Sequence, residues 1–401
     1  MVTEAVRLLK LEAELESLVS GGRLPLPAYP TVVQRAQQVM SRDEYGLDEV
    51  AQLIASDASL AADVVRCANS AMYRRGAPVT NLAQAVTRVG ARQVERLILA
   101  SCLSPRAQSA GPLATLRRII WIEGLASAAL CQELARIRGL RQEEAFLLGL
   151  IHDFGKIVAF SHVEALCEKH GLDTAWPTDV WADLVGRHHV AIGLALAKAW
   201  ELPQLVREVI SAHHGGPGEC ADPGLLGVVK TTDQVVERLM KNPGIGEERL
   251  ALIPGVMNLS EREALVHVTV KVPELVAAFE TPVPTGTVPP THIAHPESTL
   301  ERQTRPVEFA VTVKLSRQTR EYKATTIAPN GLALTGELPL DEGRLHEVTV
   351  HGVPGPLHMW ALTRVSRRAG SSYQVEMHPF ALSGMERVLW NQLVAGVPAA
   401  A

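Results

Sequence analysis

The stretch GLIHDFGKIVAF, residues 149–160, places an adjacent His-Asp pair within a long apolar run. His152 and Asp153 follow the helical pattern EEAFLLGLI and precede Phe-Gly-Lys. Neighbouring residues inside a helix point to different sides, but at a helix end the backbone can turn both side chains toward one ion. The stretch therefore predicts a helical fold with a polar site at a helix end.

More histidines and an aspartate follow this pair along the chain. His189 opens the run HVAIGLALAKAW, where a helix N-terminus is expected, and His213-His214 follow LVREVISA at a predicted helix end. Asp233 lies among apolar residues at helical spacing, and a buried carboxylate needs a partner because an unpaired buried charge is costly. Imidazole and carboxylate ligands suit iron, manganese and zinc. Two interpretations remain: a divalent metal site, or a buried hydrogen-bonded remnant of one.

Apolar residues recur at helical spacing up to about residue 280. In GLDEVAQLIASDASLAADVVRCANSA, Leu47, Val50 and Ile54 follow the i, i+3, i+7 pattern of a helix face. Asp57 or Ser59 is the predicted N-cap of the next helix. The first twenty residues predict an amphipathic helix, since acids interrupt the apolar core that a signal peptide needs. SEREALVHVTVKVPELVAAFE is the last predicted helical segment, although HVTVKV within it alternates like a strand.

The pattern changes after residue 280. Residues 281–300, TPVPTGTVPPTHIAHPESTL, are rich in Pro and Thr and predict a linker. Short alternating runs then follow at spacings near ten, which favours a small β-barrel, and SGMERVLWNQLV predicts a closing helix. The predicted fold class is a multidomain chain with an all-α domain (1–280), a linker (281–300) and an all-β barrel with a C-terminal helix (301–401).

Composition narrows the function classes. The formal charge is −4, so no global basic field indicates nucleic acid as a partner. The sequence has no run of 18 apolar residues, and we expect no membrane partner. Five cysteines, an odd number without CxxC spacing, favour reduced thiols and a cytoplasmic location.

The helical part resembles the HDOD domain, the HD-related output domain of bacterial signalling proteins. The resemblance covers about residues 20–278 and rests on LPLPAYPTVVQRAQQVMS, on DEVAQLIASDASLAADVVRCANSAMY, on NLAQAVTRVGARQVERLILAS and on GLIHDFGK. It implies an HD-like helical fold. HDOD domains are regarded as relatives of HD hydrolases that act as signalling or interaction modules, so the implied partners are other signalling proteins.

The same resemblance implies a ligand set. In HD-type hydrolases the order His-Asp, His, His-His, Asp supplies metal ligands, and the matching positions here are His152, Asp153, His189, His213 and Asp233. An additional upstream His of those enzymes falls at Glu123, and GGPGECADPG lacks the GYP element of HD-GYP phosphodiesterases. In an active enzyme Lys156 would neutralise a phosphate oxygen. Because of these departures we expect no catalytic residue and no cofactor, with a divalent metal (Fe, Mn or Zn, which Glu123 could also bind) as the alternative.

Residues 301–396 resemble a PilZ domain, a common receptor for cyclic di-GMP. PilZ receptors use Arg-x-x-x-Arg followed by a turn of the form Asp/Asn-x-Ser-x-x-Gly. The residues retained here are Arg302, one position out of register, Arg305 and Gly331. Ala328 stands at the Ser position and cannot donate a hydrogen bond, and an Asn-Gly turn would by itself require the glycine. We therefore expect weak or absent binding of cyclic di-GMP.

The sequence thus predicts a cytoplasmic bacterial signalling adaptor that acts through protein–protein interaction, with a possible link to cyclic di-GMP or motility signalling by family analogy alone. One alternative is a metal-dependent HD-type phosphohydrolase acting on a cyclic dinucleotide or nucleotide. Another is a cyclic di-GMP receptor that binds through the PilZ-like domain.

Overall fold

A computed structural model describes residues 2–42, 44–172, 178–215, 220–241, 247–280, 300, 304–315, 318–352, 356–382 and 384–396. The predicted linker 281–300 lies outside the described residues except for Leu300, and so does Arg302. The chain divides into two compact units. The first contains Met1–Asp173, Val180–Asp233 and His267–Thr281, and the second contains Thr174–Asp179, Gln234–Val266 and Pro282–Ala401.

The described residues before the barrel are helical, as the apolar periodicity predicts. The helices are α1 Val2–Ser20, α2 Thr31–Met40, α3 Leu47–Ala55, α4 Ala58–Asn69, α5 Leu82–Val89, α6 Ala91–Ala107, α7 Ala114–Ile137, α8 Gln142–Ile151, α9 Phe154–His170, α10 Thr178–Ala199, α11 Gln204–Ala212, α12 Pro223–Lys241, α13 Glu247–Leu250, α14 Leu259–Thr269 and α15 Val272–Phe279. The strand-like segment HVTVKV is helical, since α14 runs through its first residues and α15 begins within it. Its apolar residues continue a helical burial pattern through Leu265, Val268 and Val272.

Asp57 caps α4. Its carboxylate accepts hydrogen bonds from the backbone N–H groups of Ser59 and Leu60, which have no partner inside the helix. Of the two predicted caps the structure therefore selects Asp57. The helix behind it buries Val64 and Cys67 completely.

Helices α7, α8 and α9 form much of the interior of the first unit. A Cβ on Gly149 of α8 would lie 2.7 Å from the carbonyl oxygen of Ser127 and 2.8 Å from the Cα of Ala128, so α8 and α7 approach closely at this glycine. Among the described helices, only the stretch Gln142–His170 is long and apolar enough to cross a membrane, and 83% of its apolar window is buried inside the protein. Burial on this scale is typical of a core helix.

The second unit contains a closed antiparallel barrel. Its strands are β1 Arg305–Lys314, β2 Thr319–Ala328, β3 Gly331–Gly336, β4 Leu345–His351, β5 Leu357–Ala369 and β6 Ser372–Phe380. They pair in the order β1-β2-β3-β6-β5-β4, and closure leaves no exposed sheet edge. The final helix, α16 (Gly384–Ala395), packs Trp390 into the barrel core and donates its indole N–H to the carbonyl of Pro329 at 3.0 Å. An all-α domain followed by an all-β barrel with a C-terminal helix confirms the predicted fold class.

Candidate metal centre

The predicted helix end at the His-Asp pair is present. Helix α8 ends at Ile151 and α9 begins at Phe154, so His152 and Asp153 form the junction between them, and both side chains are buried. Helix α10 crosses the start of α9 at Gly155, where a Cβ would lie only 2.2 Å from the carbonyl oxygen of His189. The missing side chain of Gly155 therefore lets Asp153 and His189 approach each other.

The expected position of His189 at a helix N-terminus is wrong. Helix α10 begins eleven residues earlier, at Thr178, and continues past His189 to Ala199. The buried residues Trp181, Val185 and Ile192 continue one helical face through His189, so the apolar pattern begins well before the run that suggested a boundary. His189 consequently projects from the side of a long, rigid helix.

Three histidines share one orientation. In each ring Nδ1 lies within hydrogen-bonding distance of the backbone carbonyl three residues earlier: His152 on Gly149 at 2.9 Å, His189 on Gly186 at 2.7 Å, and His213 on Ile210 at 2.8 Å. A carbonyl oxygen only accepts, so each Nδ1 carries the hydrogen, and in the neutral ring Nε2 presents a lone pair. The backbone thus aims three Nε2 atoms into one space.

These Nε2 atoms face carboxylate oxygens. His189 and His213 place Nε2 at 3.3 Å and 3.4 Å from Oδ1 of Asp153, and Nε2 of His152 lies 3.6 Å from both Asp153 and Asp233. The three Nε2 atoms and Oδ1 of Asp153 are buried without a hydrogen-bond partner. Lone pairs that face one another in the interior repel unless a cation or proton lies between them. The donor set therefore fits a divalent metal ion.

The possible ligands form two sets that share Asp153. Ligand atoms lie within 4.8 Å of one another in His152–Asp153–Asp233 and in Asp153–His189–His213–His214. His214 was not among the predicted ligands, although its ring centroid is 4.0 Å from that of His213. Its adjacency to His213 just after the end of α11 was the available signal, since a helix end can turn consecutive side chains to one side, as it does at His152-Asp153.

The electrostatics of the cluster keep the carboxylates ionised. Burial tends to raise the pKa of Asp153, but the charges of His152 and Lys156 outweigh it and hold that pKa well below its usual range. The pKa of Asp233 is lowered in the same way, mainly by His152 against burial. Burial lowers the pKa of His189 to about 4, so this ring is neutral at physiological pH. Burial opposes protonation of His152, but the charge of Asp153 outweighs it and raises the pKa of this ring, so a metal ion at its Nε2 would compete with a proton.

Lys156 and Glu123 flank the cluster. Nζ of Lys156 lies 2.6 Å from Oδ2 of Asp153, and although burial opposes it, the charge of Asp153 raises the pKa of this amine. Glu123, on α7, lies close enough for its charge to raise the same pKa. Among the described residues Glu123 belongs to neither ligand set. Metal binding by Glu123 therefore stays a prediction.

The barrel residues predicted to bind a nucleotide have structural contacts. The guanidinium of Arg305 donates to the carbonyl of Leu393, near the end of α16. Gly331 is not in a left-handed conformation, so the expectation that turn geometry requires this glycine is wrong. Its lack of a side chain instead permits close approach, because a Cβ would lie 2.6 Å from the carbonyl oxygen of Met377 and 2.7 Å from the side chain of Leu300.

The HDOD family model covers most of the residues of this cluster. The sequence profile of the HDOD domain matches residues 26–215. This segment contains Asp153 and all four histidines of the cluster. Residues 26–215 form an HDOD domain. Asp233 lies beyond the matched segment of the HDOD domain, on α12. The closed barrel with its final helix is consistent with a PilZ-like domain.

Two solved structures resemble the HDOD-containing part of the chain. A protein of Shewanella amazonensis SB2B, named provisionally as a metal-dependent phosphohydrolase, is 24% identical with a TM-score of 0.54, covering 68% of this chain and 99% of its own. An HDOD domain protein of unknown function from Geobacter sulfurreducens is 23% identical with a TM-score of 0.50, covering 69% and 98%. At these identities the likeness shows a shared fold.

A curated relative is an uncharacterized protein of Treponema pallidum (strain Nichols). It is 26% identical over 206 residues, which is 48% of this chain. The matched region spans 38% of the length of that relative, well under two thirds.

Proposed function

We propose that this is a signalling protein that acts through protein–protein interaction and that its HDOD domain holds a divalent metal ion. The HDOD domain supports a role in signalling. The observation that carries the metal is the set of three buried Nε2 atoms, each fixed by a backbone carbonyl on Nδ1 and each facing a carboxylate without a hydrogen-bond partner. Fe, Mn and Zn are the metals suited to these ligands.

The metal would act first as a link between helices. Asp153, shared by both ligand sets, would bind it together with His152 and Asp233, or together with His189 on α10 and the histidine pair that follows α11. The linked elements are far apart in sequence, so occupancy would stabilise one packing of the HDOD domain. A partner that recognises this packing would bind in a metal-dependent way. The partners remain other signalling proteins, and the five free cysteines are compatible with the proposed cytoplasmic location.

Metal analysis tests this proposal. Purified full-length protein is loaded with Mn²⁺, Fe²⁺ or Zn²⁺ in turn, dialysed, and measured by elemental analysis. We expect at least one ion per chain in the wild type and loss of it in Asp153→Asn, since Asp153 belongs to both ligand sets. His170→Gln is the control, because His170 pairs with Glu14 outside the cluster and should retain the metal. Protein without stoichiometric metal, or with metal that Asp153→Asn does not remove, would overturn the proposal.

A second candidate function is metal-dependent phosphohydrolysis. It is favoured by the access to the cluster, where His214 is exposed and the side chain of Asp233 is 32% exposed. A bound metal lowers the pKa of water and polarises a phosphoryl oxygen. The ammonium group of Lys156 would offset the negative charge of a phosphate next to Asp153. The Shewanella protein with this fold carries the name of such an enzyme.

Turnover separates the two candidates. Metal-loaded wild type and Lys156→Met are incubated with cyclic di-GMP and with bis(p-nitrophenyl) phosphate, and product is followed by chromatography or absorbance. The hydrolase requires turnover by the wild type that falls at least about ten-fold in Lys156→Met. Metal-loaded protein without turnover of either compound would eliminate the hydrolase and leave the binding role.

The PilZ-like barrel is proposed not to bind cyclic di-GMP strongly. Arg305 is engaged with the carbonyl of Leu393, and Ala328 is completely buried and has no polar side-chain atom. We expect calorimetry on the full chain to show no site tighter than about 10 μM, which corresponds to roughly −7 kcal/mol. A tighter site that Arg305→Ala abolishes would favour the receptor instead.

A further inference from the structure

Helix α1 precedes the segment that the HDOD profile matches, which begins at residue 26. It is nevertheless packed firmly in the first unit, because Leu11 and Leu15, one turn apart, are 1% and 0% exposed. Two carboxylates, on Glu12 and Glu14, lie between these two leucines in the sequence and pair with two different helices. The helix is thus held by apolar contact and by two separate ionic contacts.

Glu12 contacts α10 immediately before a predicted ligand. Its Oε1 accepts a hydrogen bond from Nε of Arg187 at 2.7 Å and lies 3.5 Å from Nε2 of His188. Arg187 also pairs with Asp183, one turn earlier on α10. The next residue after His188 is His189, whose Nε2 lies 3.3 Å from Asp153.

Glu14 contacts α9 at its opposite end. Its Oε1 accepts a hydrogen bond from Nζ of Lys169 at 2.7 Å, and its Oε2 lies 2.6 Å from Nε2 of His170. Both partners belong to the last turn of α9. The metal ligand Asp153 directly precedes the first turn of the same helix. The contact of Glu14 is therefore sixteen residues, or about 24 Å of helix, from Asp153.

We propose that Glu12 is a positioning residue of the metal centre, which sets the rotation of α10 through Arg187 and so the distance between His189 and Asp153. This inference rests on the proposed metal function. The required precision is high, because a rotation of about 10° moves a side-chain tip at the outer radius of a helix, roughly 5–6 Å, by about 1 Å. A working site tolerates an error of only about 0.5 Å. The α9–α10 crossing at Gly155 constrains the separation of the helices, whereas the Arg187–Glu12 contact lies on a different face of α10 from His189 and constrains its rotation.

The experiment compares two matched variants of the full chain, Glu12→Gln and Glu14→Gln, with Co²⁺ as the probe. Both variants remove one carboxylate charge from α1 and an ion pair with partly exposed partners, so both should change the melting temperature little and equally. The affinity of each protein for Co²⁺ is measured by titration. The visible absorption of Co²⁺ reports the ligand arrangement, which a merely structural role for Glu12 would not change.

We expect Glu12→Gln to weaken Co²⁺ binding by about ten-fold and to alter the spectrum, an effect at the low end of that seen when a residue that orients a ligand is removed. We expect Glu14→Gln to match the wild type, and Glu12→Asp, which keeps the charge, to restore much of the affinity. Equal affinity and spectra in Glu12→Gln and the wild type, or equal losses in both Gln variants, would overturn the inference while the metal function stands. Wild type that binds no Co²⁺ in an Asp153-dependent manner would instead overturn the proposed function, and the inference with it.

Discussion

Substituting Gly155 by alanine should separate the two helices that carry Asp153 and His189. The new Cβ would lie 2.2 Å from the carbonyl oxygen of His189, 3.1 Å from its carbonyl carbon and 2.9 Å from the amide nitrogen of Gly193. All three are backbone atoms of α10, so no side-chain rotation relieves the clash. Van der Waals contact requires at least about 1 Å more than the shortest of these distances, and α9 and α10 must move apart by a comparable amount.

Two effects set the change in the free energy of unfolding of Gly155→Ala. Alanine in place of a helical glycine gains about 0.5–1 kcal/mol in helix propensity, whereas overpacking a filled interior costs about 1–3 kcal/mol and occasionally more. Because the clash is with backbone atoms, we expect the upper end of the overpacking cost. The net loss in the free energy of unfolding is then about 2 kcal/mol. For a unit of this size that corresponds to a fall of roughly 4–8 °C in melting temperature. The same shift lengthens the 3.3 Å separation of His189 from Asp153 and should weaken metal binding at least ten-fold.

The control is Gly186→Ala, on α10 itself. A Cβ there meets no atom within 4 Å, and the carbonyl of Gly186 that accepts from Nδ1 of His189 is retained. We expect unchanged metal affinity and a melting temperature equal to or slightly above that of the wild type. Both variants are measured by thermal unfolding and by Mn²⁺ or Co²⁺ titration. A Gly155→Ala protein as stable as Gly186→Ala, with wild-type metal affinity, would refute the packing argument.

Three further predictions concern stability. Asp57→Ala should lower the free energy of unfolding by about 1 kcal/mol through loss of the α4 cap, and Ser59→Ala by only a few tenths, as urea titration would show; equal losses would contradict the capping assignment. Burial lowers the pKa of His378 to about 3 from about 6.5 in the unfolded chain, so its contribution to stability is full above pH 6.5 and is lost as the pH falls toward 3. Urea unfolding at pH 5 and pH 7 should therefore differ less in His378→Gln than in the wild type, and an unchanged difference would rule out this linkage. Arg117→Met should cost about 3–5 kcal/mol because it leaves the partly buried carboxylate of Glu164 without its ion pair, and adding Glu164→Leu should recover part of that loss; a double variant less stable than Arg117→Met would disprove this account.

The fold class was predictable because it depends on local periodicity. The 3.6-residue repeat of apolar positions up to residue 280 and the two-residue repeat after it are properties of the sequence alone. The cap at Asp57 is equally local, since its carboxylate reaches backbone groups only two and three residues away. Where a local signal was weak the prediction was wrong, as with the helix start expected at His189, because burial of Trp181 and Val185 extends α10 before that residue. The segment around HVTVKV is helical despite its strand-like alternation, because its apolar residues are buried at helical spacing.

The residue types and their order determined that His152, Asp153, His189, His213 and Asp233 are candidate ligands. The tertiary structure alone decided that Asp153 joins two ligand sets, that His214 belongs to one of them, and that Glu123, among the described residues, belongs to neither. The tertiary structure also explains why Gly155 and Gly331 are glycines. Neither has a positive φ, but a Cβ at either position would collide with atoms that are distant in sequence. The physical reason is common to all of these: a ligand's type is local, whereas its distance to another ligand depends on helix crossings set by packing across the whole interior.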